Sequence, residues 1–378
     1  MRENPFRFGA LALDEAFTDR ERELAELVSD VRNGQDVVIL GPRRYGKSSL
    51  VFRAIQELLR RRVLVAYVDL MAAPTKERLA ARLAKTIHED VATPLIRARE
   101  RGLALFRSLR VQPTITVDPH DASLSFTFGT GHDVADVDAT IEALLELPAR
   151  LSAERNRRVA LVFDEFQEIT DLDPHYPKLL RAVFQQQPEV AHVYLGSKRH
   201  LMRQIFNDEH EPFWRSAKQM ELGPIEPERF APFVRERLSD TDRGIDEAAL
   251  ERLLELTGGH PYATQQLCYF LWEELPEGFA ASDRDLDRAL ERVVDAEGAH
   301  FALVWDESTR NERQVLVALG REPGSPYSAE YRRRHALPSA SHVQRSLGSL
   351  TRRELVRRDA SGPYRLAEPF LGRWLERL

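Results

Sequence analysis

The sequence predicts an α/β protein: a core built on a parallel sheet, then an all-helical domain, then a winged helix. Three observations carry that expectation. Short apolar runs alternate with helical patterns over residues 1–224, helical patterns alone follow Pro227, and residues 309–378 read as three helices and two short β-like stretches. Apolar strands alternating with helices imply a parallel sheet covered on both faces, with ligands at the carboxyl ends of its strands.

Along the chain, Leu24, Leu27 and Val31 recur at helical spacing within 13–33, behind a cap at Thr18-Asp19. The apolar strand 37–40 leads into a Gly-rich turn and a helix from about 47 to 62. A second buried strand spans 63–70. Helices are expected near 75–90 and 93–109, followed by a β-hairpin over 113–129, where Ile115, Val117, Leu124, Phe126 and Phe128 alternate around Pro119-His120-Asp121. A helix at 135–155, a strand at 159–163, a helix near 175–187, a strand at 191–195 and a short strand at 218–222 complete the core. The class changes after Leu222-Gly223-Pro224-Ile225, where helices at 227–238, 246–257, 261–275 and 282–297 are expected with no strand. The final part reads helix (310–320), helix (328–335), helix (341–354), then β-like stretches at 355–358 and 364–366 around Asp359-Ala360-Ser361-Gly362-Pro363, which describes a winged helix.

A chain of 378 residues exceeds the usual size of one core, so the expected division is 1–224 (with a hairpin insertion at about 110–130), 225–300 and 301–378. The net charge of −6 predicts no whole-chain affinity for polyanions, but it is unevenly spread. Residues 301–378 carry 14 Arg and 9 acids, a net of +5, against −11 for the rest. The single cysteine, Cys268, excludes an intramolecular disulfide framework and sits in an apolar helical stretch, which reads as packing rather than reactivity. The amino terminus lacks a signal-peptide core, and no run approaches a membrane span, so a soluble cytoplasmic protein is expected, with no membrane partner.

The chemistry-bearing pattern is Gly41-Pro-Arg-Arg-Tyr-Gly-Lys-Ser48, a G-x-x-x-x-G-K-S turn directly after strand 37–40. Gly41 and Gly46 permit the backbone angles by which successive N–H groups curl around a phosphate, and the helix starting at Lys47 adds its positive dipole end. Pro42, Arg43, Arg44, Tyr45 and Ser49 complete the expected nucleotide contacts. Lys47 would reach the β- and γ-phosphates, and the Ser48 hydroxyl would join a Mg²⁺ shell. Hydrolysis needs a second acidic motif at a buried strand end. Asp164 would hold the Mg²⁺, and Glu165 would polarise the attacking water.

The next strand ends at Leu195-Gly196-Ser197-Lys198-Arg199. A polar or cationic side chain there would lie beside the phosphate site, and Arg199 is the favoured sensor, with Ser197 second and a solvated loop charge as the alternative. Arg215, in Phe213-Trp214-Arg215, is a candidate finger acting on a neighbouring subunit; stacking on Trp214 explains it equally well. Gly258-Gly259-His260-Pro261-Tyr262 reads as a helix–helix turn with Pro261 at the favoured first position, and alternatively places His260 and Pro261 as a lid over the nucleotide.

Asn4-Pro5-Phe6, the run 41–50, Phe163-Asp164-Glu165-Phe166-Gln167, Gly196–Met202, Gly259–Tyr262 and Tyr364–Phe370 together resemble the archaeal-type ATPases of the STAND class, within the AAA+ group of P-loop NTPases. The resemblance spans nearly the whole chain. It implies an ATP-driven switch: ADP held between core, lid and winged helix in a closed resting form, with ATP favouring opening and self-assembly into a homo-oligomer. By the same resemblance Lys47, Ser48, Asp164, Glu165, Arg199 and Pro261 match the family's nucleotide site. Many members carry sensor or effector domains beyond the winged helix, so here the signalling role is expected to involve a partner protein.

Three functions remain open at this level. The first is a slow STAND-type ATPase switch. The second is a DNA-handling AAA+ protein, similar to origin-recognition initiators or transposition ATPases, binding duplex through His342, Gln344, Arg345, Arg352 and Arg353 of the last helix and Arg357 and Arg358 of the wing. The third is a nucleotide-binding scaffold without hydrolysis, against which the intact Glu165 argues.

Overall fold

The structure is a computed structural model that describes residues 2–12, 17–92, 106, 109–117, 124–129, 134–359 and 362–378. It divides into two compact units, one of Arg20–Arg43 with Lys47–Gly223, the other of Met1–Asp19, Arg44–Gly46 and Pro224–Leu378.

In the first unit, α1 (Glu21–Arg32) leads to β1 (Val37–Leu40), α2 (Lys47–Arg60), β2 (Leu64–Asp69) and α3 (Lys76–Thr86), which continues into a π turn at Ile87–Ala92. A hairpin of β3 (Thr114–Val117) and β4 (Leu124–Thr127) precedes α4 (Val134–Arg155), β5 (Val159–Asp164), α5 (Glu168–Leu172) and α6 (Tyr176–Phe184). Then come β6 (Val190–Leu195), α7 (Arg199–Asn207) and β7 (Lys218–Glu221).

The expected parallel sheet forms in the order β2-β5-β6-β1-β7. β1 and β6 are buried along their whole length, which is why neither alternates; His192, the polar residue within β6, is buried with its Nδ1 3.0 Å from Asp36 Oδ1. Tyr194 of β6 is fully buried among aromatic rings, 4.6 Å from Phe166 and 5.1 Å from Phe206 between centroids. The antiparallel hairpin sets Ile115 opposite Phe126, and Phe126 packs 5.3 Å from Phe106 and 5.8 Å from His88. Its expected turn at Pro119-His120-Asp121 and most of the helix expected at 93–109 lie outside the described residues. Two helices of this unit were not anticipated, nor were Gly298–Asp306 and Leu371–Leu375 in the other. α5 is too short for a periodic signal, and α7 buries only Met202, Ile205 and Phe206 in a polar sequence.

The second unit contains α8 (Pro227–Ser239), β8 (Gly244–Ile245), α9 (Glu247–Thr257), α10 (Pro261–Glu274), β9 (Ala280–Ala281), α11 (Asp283–Ala296) and α12 (Gly298–Asp306). These are followed by α13 (Arg310–Arg321), α14 (Ala329–Arg334), α15 (Ala340–Arg352), β10 (Val356–Arg358), β11 (Tyr364–Leu366) and α16 (Leu371–Leu375). The expectation of no strand between 225 and 300 is corrected: β8 and β9 pair in parallel, Gly244 opposite Ala280. Two residues per strand leave no pattern to read. The winged helix is as expected, with β10 and β11 antiparallel and a further bridge between Gly324 and Tyr364. α13 begins at a capping box in which Thr309 Oγ1 accepts from Glu312 N at 3.4 Å and Glu312 accepts from Thr309 N at 2.8 Å. Phe6, the helices 227–296 and the winged helix share one continuous apolar core. Cys268 lies inside it, its thiol pKa pushed up by burial, so it is packing material. No helix among the described residues is long and apolar enough to cross a membrane.

Candidate active site

In the first unit, the carboxyl ends of β1, β5 and β6 bring together five of the anticipated side chains. β1 runs straight into the Gly-rich turn, and α2 opens at Lys47. The turn is built on left-handed backbone at Arg44 (φ +65°) and Gly46 (φ +81°), of which the second is natural for glycine and the first is a strained position for a side chain. Lys47 is buried and donates from Nζ to the carbonyls of Gly41 and Pro42, each at 2.9 Å, so its charge is held over the turn.

β5 ends in Asp164. Its Oδ1 accepts from Glu165 N at 2.9 Å, and its Oδ2 accepts from the Tyr67 hydroxyl and, at a long 3.5 Å, from Ser48 Oγ. Burial raises the Asp164 carboxyl above the usual range, partly opposed by the bonds from Tyr67 and Glu165. Glu165 behaves oppositely. Burial pushes it up, but hydrogen bonds from Gln167 and Ser197 and the charge of Lys47 outweigh burial and hold it below the usual range. Those bonds converge on one oxygen: Glu165 Oε2 accepts from Gln167 Nε2 at 2.6 Å, Ser197 Oγ at 2.8 Å and Ser197 N at 3.0 Å. The two neighbouring carboxylates are thereby driven apart in acidity. Glu165 itself sits at φ +51°, a strained turn that directs its side chain toward the end of β6.

Of the two sensor candidates, Ser197 bonds Glu165, while Arg199 begins α7 two residues later. Two further residues in this cluster were not anticipated. Tyr67, on β2 beside β5, donates to Asp164, and its phenol is pushed up by burial and by that carboxylate. Gln167 is fully buried. A tyrosine near the end of a buried strand, and a glutamine in a run otherwise aromatic, were the only signals. Arg215 stands apart on the surface, exposed, its guanidinium carbon 5.1 Å from the Trp214 ring centroid.

In the second unit, Tyr45 and His260 meet edge to face at 4.6 Å, and the Arg44 guanidinium lies 4.2 Å over the Tyr262 ring and 3.8 Å from the Glu368 carboxylate. His260 caps α10 by accepting from Ala263 N at 3.3 Å, with Pro261 as the first helical residue. Burial, then the charges of Arg357 and Arg44, push the His260 pKa down to about 4, so this imidazole is neutral at physiological pH. Arg43 is exposed and Ser49 is buried in α2.

Against known proteins, residues 17–267 match the family described as an ATPase domain predominantly from Archaea, and residues 299–377 match a probable winged helix domain. No curated protein sequence matches the chain. Among solved structures, a Walker-type ATPase of Pyrococcus abyssi superimposes with a TM-score of 0.66 at 18% identity, covering 97% of each chain. The ORC2 protein of Aeropyrum pernix, solved in ADPNP–ADP complexes, superimposes with a TM-score of 0.56 at 17% identity, covering 98% of this chain and 96% of that one. At such identities the likeness is one of fold, whereas the family match rests on sequence over most of the chain. The chain therefore belongs to the archaeal-type ATPase family and carries a C-terminal winged helix domain.

Proposed function

We propose that this protein is a slow ATPase that works as a conformational switch of the STAND type, resting closed with ADP and opening or self-assembling with ATP. The observation that carries the reading is the convergence of Ser197 and Gln167 on Glu165, beside Asp164, Ser48 and Lys47 at neighbouring strand ends. A carboxylate kept ionised at physiological pH is suited to accept a proton from water. Lys47 and the amide groups of the Gly-rich turn would bind the phosphates. Ser48 and Asp164 offer an alcohol and a carboxylate oxygen 3.5 Å apart, hard donors that fit Mg²⁺. The metal, when bound, supplies charge neutralisation on the phosphates. The contact of Tyr45 with His260 supports a lid role for His260 and Pro261. We read 225–300 as that lid and 301–378 as a winged-helix domain built on the same apolar core, in a cytoplasmic protein.

Lys47→Ala is expected to abolish nucleotide binding, read with a fluorescent ADP analogue. Glu165→Gln is expected to keep binding and lose hydrolysis by about 10²- to 10⁴-fold. Wild-type turnover in Glu165→Gln would remove Glu165 from the chemistry.

One observation favours the second reading, a DNA-binding AAA+ protein: α15 exposes His342, Gln344, Arg345 and Arg352 on its surface. Arg353, by contrast, is engaged with Glu307 at 3.2 Å, and Arg357 lies 3.7 Å from Asp359. Duplex binding that depends on Arg345 and Arg352 and changes between ADP and a non-hydrolysable ATP analogue would favour this reading over the first.

A further inference from the structure

The winged-helix domain holds a second cationic feature along α13, beside the end of α15, where Arg353 Nη1 donates to the groove residue Ser308 Oγ at 3.4 Å. A groove of about 440 Å³ runs along α13, and its lining includes Trp305, Arg310, Arg313, Gln314, Val317 and Arg321. Positions 310, 313, 314, 317 and 321 recur at three- and four-residue steps, so they form one stripe of the helix. From Arg310 to Arg321 the stripe extends roughly 16 Å at the α-helical rise. No carboxylate lines it. Glu322, just past its end, is occupied by Arg334 at 3.0 Å and His335 at 3.3 Å.

The three arginines differ in a useful way. Arg313 is pinned, donating from Nε to Trp305 O at 2.8 Å and from Nη2 to Asp306 O at 3.2 Å, with its guanidinium 4.9 Å from the Trp305 ring centroid. Arg310 and Arg321 are exposed at the two ends and have no ion-pair partner among the described residues. Half-buried Trp305 and Val317 give the groove an apolar wall. Three like charges around an aromatic face, without a compensating acid, fit an anionic chain that also carries flat apolar groups.

We infer that this groove binds a single strand of nucleic acid, with Arg310, Arg313 and Arg321 on phosphates of that strand and a base against Trp305. Three features select that occupant. The stripe, roughly 16 Å long, is long enough to meet more than one phosphate of an extended strand. All the cations of residues 301–378 are arginine, whose planar fork pairs with phosphate in two-point fashion and stacks on rings. The site is concave with an aromatic wall, which suits an unstacked base.

The test is fluorescence anisotropy of the full chain with a labelled oligothymidine strand, between about 50 and 200 mM salt, where phosphate contacts lose affinity steeply. Binding is expected to weaken at least tenfold in Arg310→Ala/Arg321→Ala, and the slope of log K against log salt is expected to fall by about 1.4, the loss of two single-strand phosphate contacts. Lysine at both positions should restore most of the slope, and an unchanged melting temperature would separate lost contacts from lost fold. The inference is overturned by absence of binding at the lowest salt, or by a slope unmoved in the alanine variant. Two more outcomes overturn it by naming another occupant: polyglutamate displacing the strand at equal charge, or a duplex binding through the same two arginines as tightly as the strand.

Discussion

Glu165 shows how one residue's surroundings set its role. The acid pair Asp164-Glu165 is legible as a motif, but not that the pKa of Asp164 is raised and that of Glu165 lowered, since both are partly buried and adjacent. The three hydrogen bonds on Glu165 Oε2 decide it, two of them from Ser197, 32 positions later in the chain. Removing the Ser197 hydroxyl leaves Glu165 with one fewer bond to its charged form, so its pKa rises toward the range that burial alone would impose. A base works only when deprotonated, and activity is lost as pH falls through its pKa. Ser197→Ala is therefore expected to move the acid limb of the pH–rate profile of kcat upward, with a larger loss at pH 6 than at pH 8 and little change in nucleotide affinity. A profile that drops uniformly at all pH values would show that Ser197 does not tune Glu165. Arg199 is a sensor candidate by its charge at the same strand end, and the pairing of Phe163 with Tyr194 aligns that end with the one that carries Asp164-Glu165.

At the scale of elements, Gly258-Gly259-His260-Pro261 was readable as a helix-to-helix turn, and it is one: α9 ends with Gly258 at φ +55°, and α10 begins with Pro261. The pair is not equivalent. A side chain at Gly258 would meet nothing within 4 Å, while a Cβ at Gly259 would fall 2.1 Å from the Ile225 carbonyl oxygen. Both glycines are left-handed, so alanine at either costs about 1–2 kcal/mol in backbone strain. Only Gly259→Ala adds a clash with fixed backbone. Gly258→Ala is expected to lower the thermal midpoint by a few degrees and Gly259→Ala by clearly more, measured by circular dichroism; equal midpoints would remove the Ile225 approach as the reason for the second glycine. Long periodic elements such as α2, α11 and α13 were foreseeable because burial of one face repeats every three to four residues. Pairing as short as Gly244-Ile245 with Ala280-Ala281 was not, because two residues carry no period.

For the molecule as a whole, the expected consequence of nucleotide exchange is assembly. Gel filtration of the full chain with ADP is expected to give a monomer and, with a non-hydrolysable ATP analogue, a larger species. If Arg215 acts in trans, mixing an active-site-dead chain with Arg215→Ala should restore part of the activity lost in each. A single mass under both nucleotides would remove self-assembly from the reading while leaving opening and hydrolysis intact. The charge asymmetry, +5 on residues 301–378 against −11 elsewhere, concentrates any affinity for polyanions in the winged helix.

By itself the sequence determined the parallel core, the Gly-rich phosphate turn with Lys47 and Ser48, the acidic strand end at Asp164-Glu165, and the winged helix. The turn and the acidic strand end are each written within a dozen or so consecutive residues, where spacing and backbone geometry are one fact, whereas the core and the winged helix are written in the order of elements over 1–224 and 309–378. Only the tertiary structure decided that Tyr67 shares Asp164, that Ser197 and Gln167 hold Glu165, and that the arginines of α13 face one groove. Those relations depend on strand order, on register, and on which face of a helix the core leaves outside.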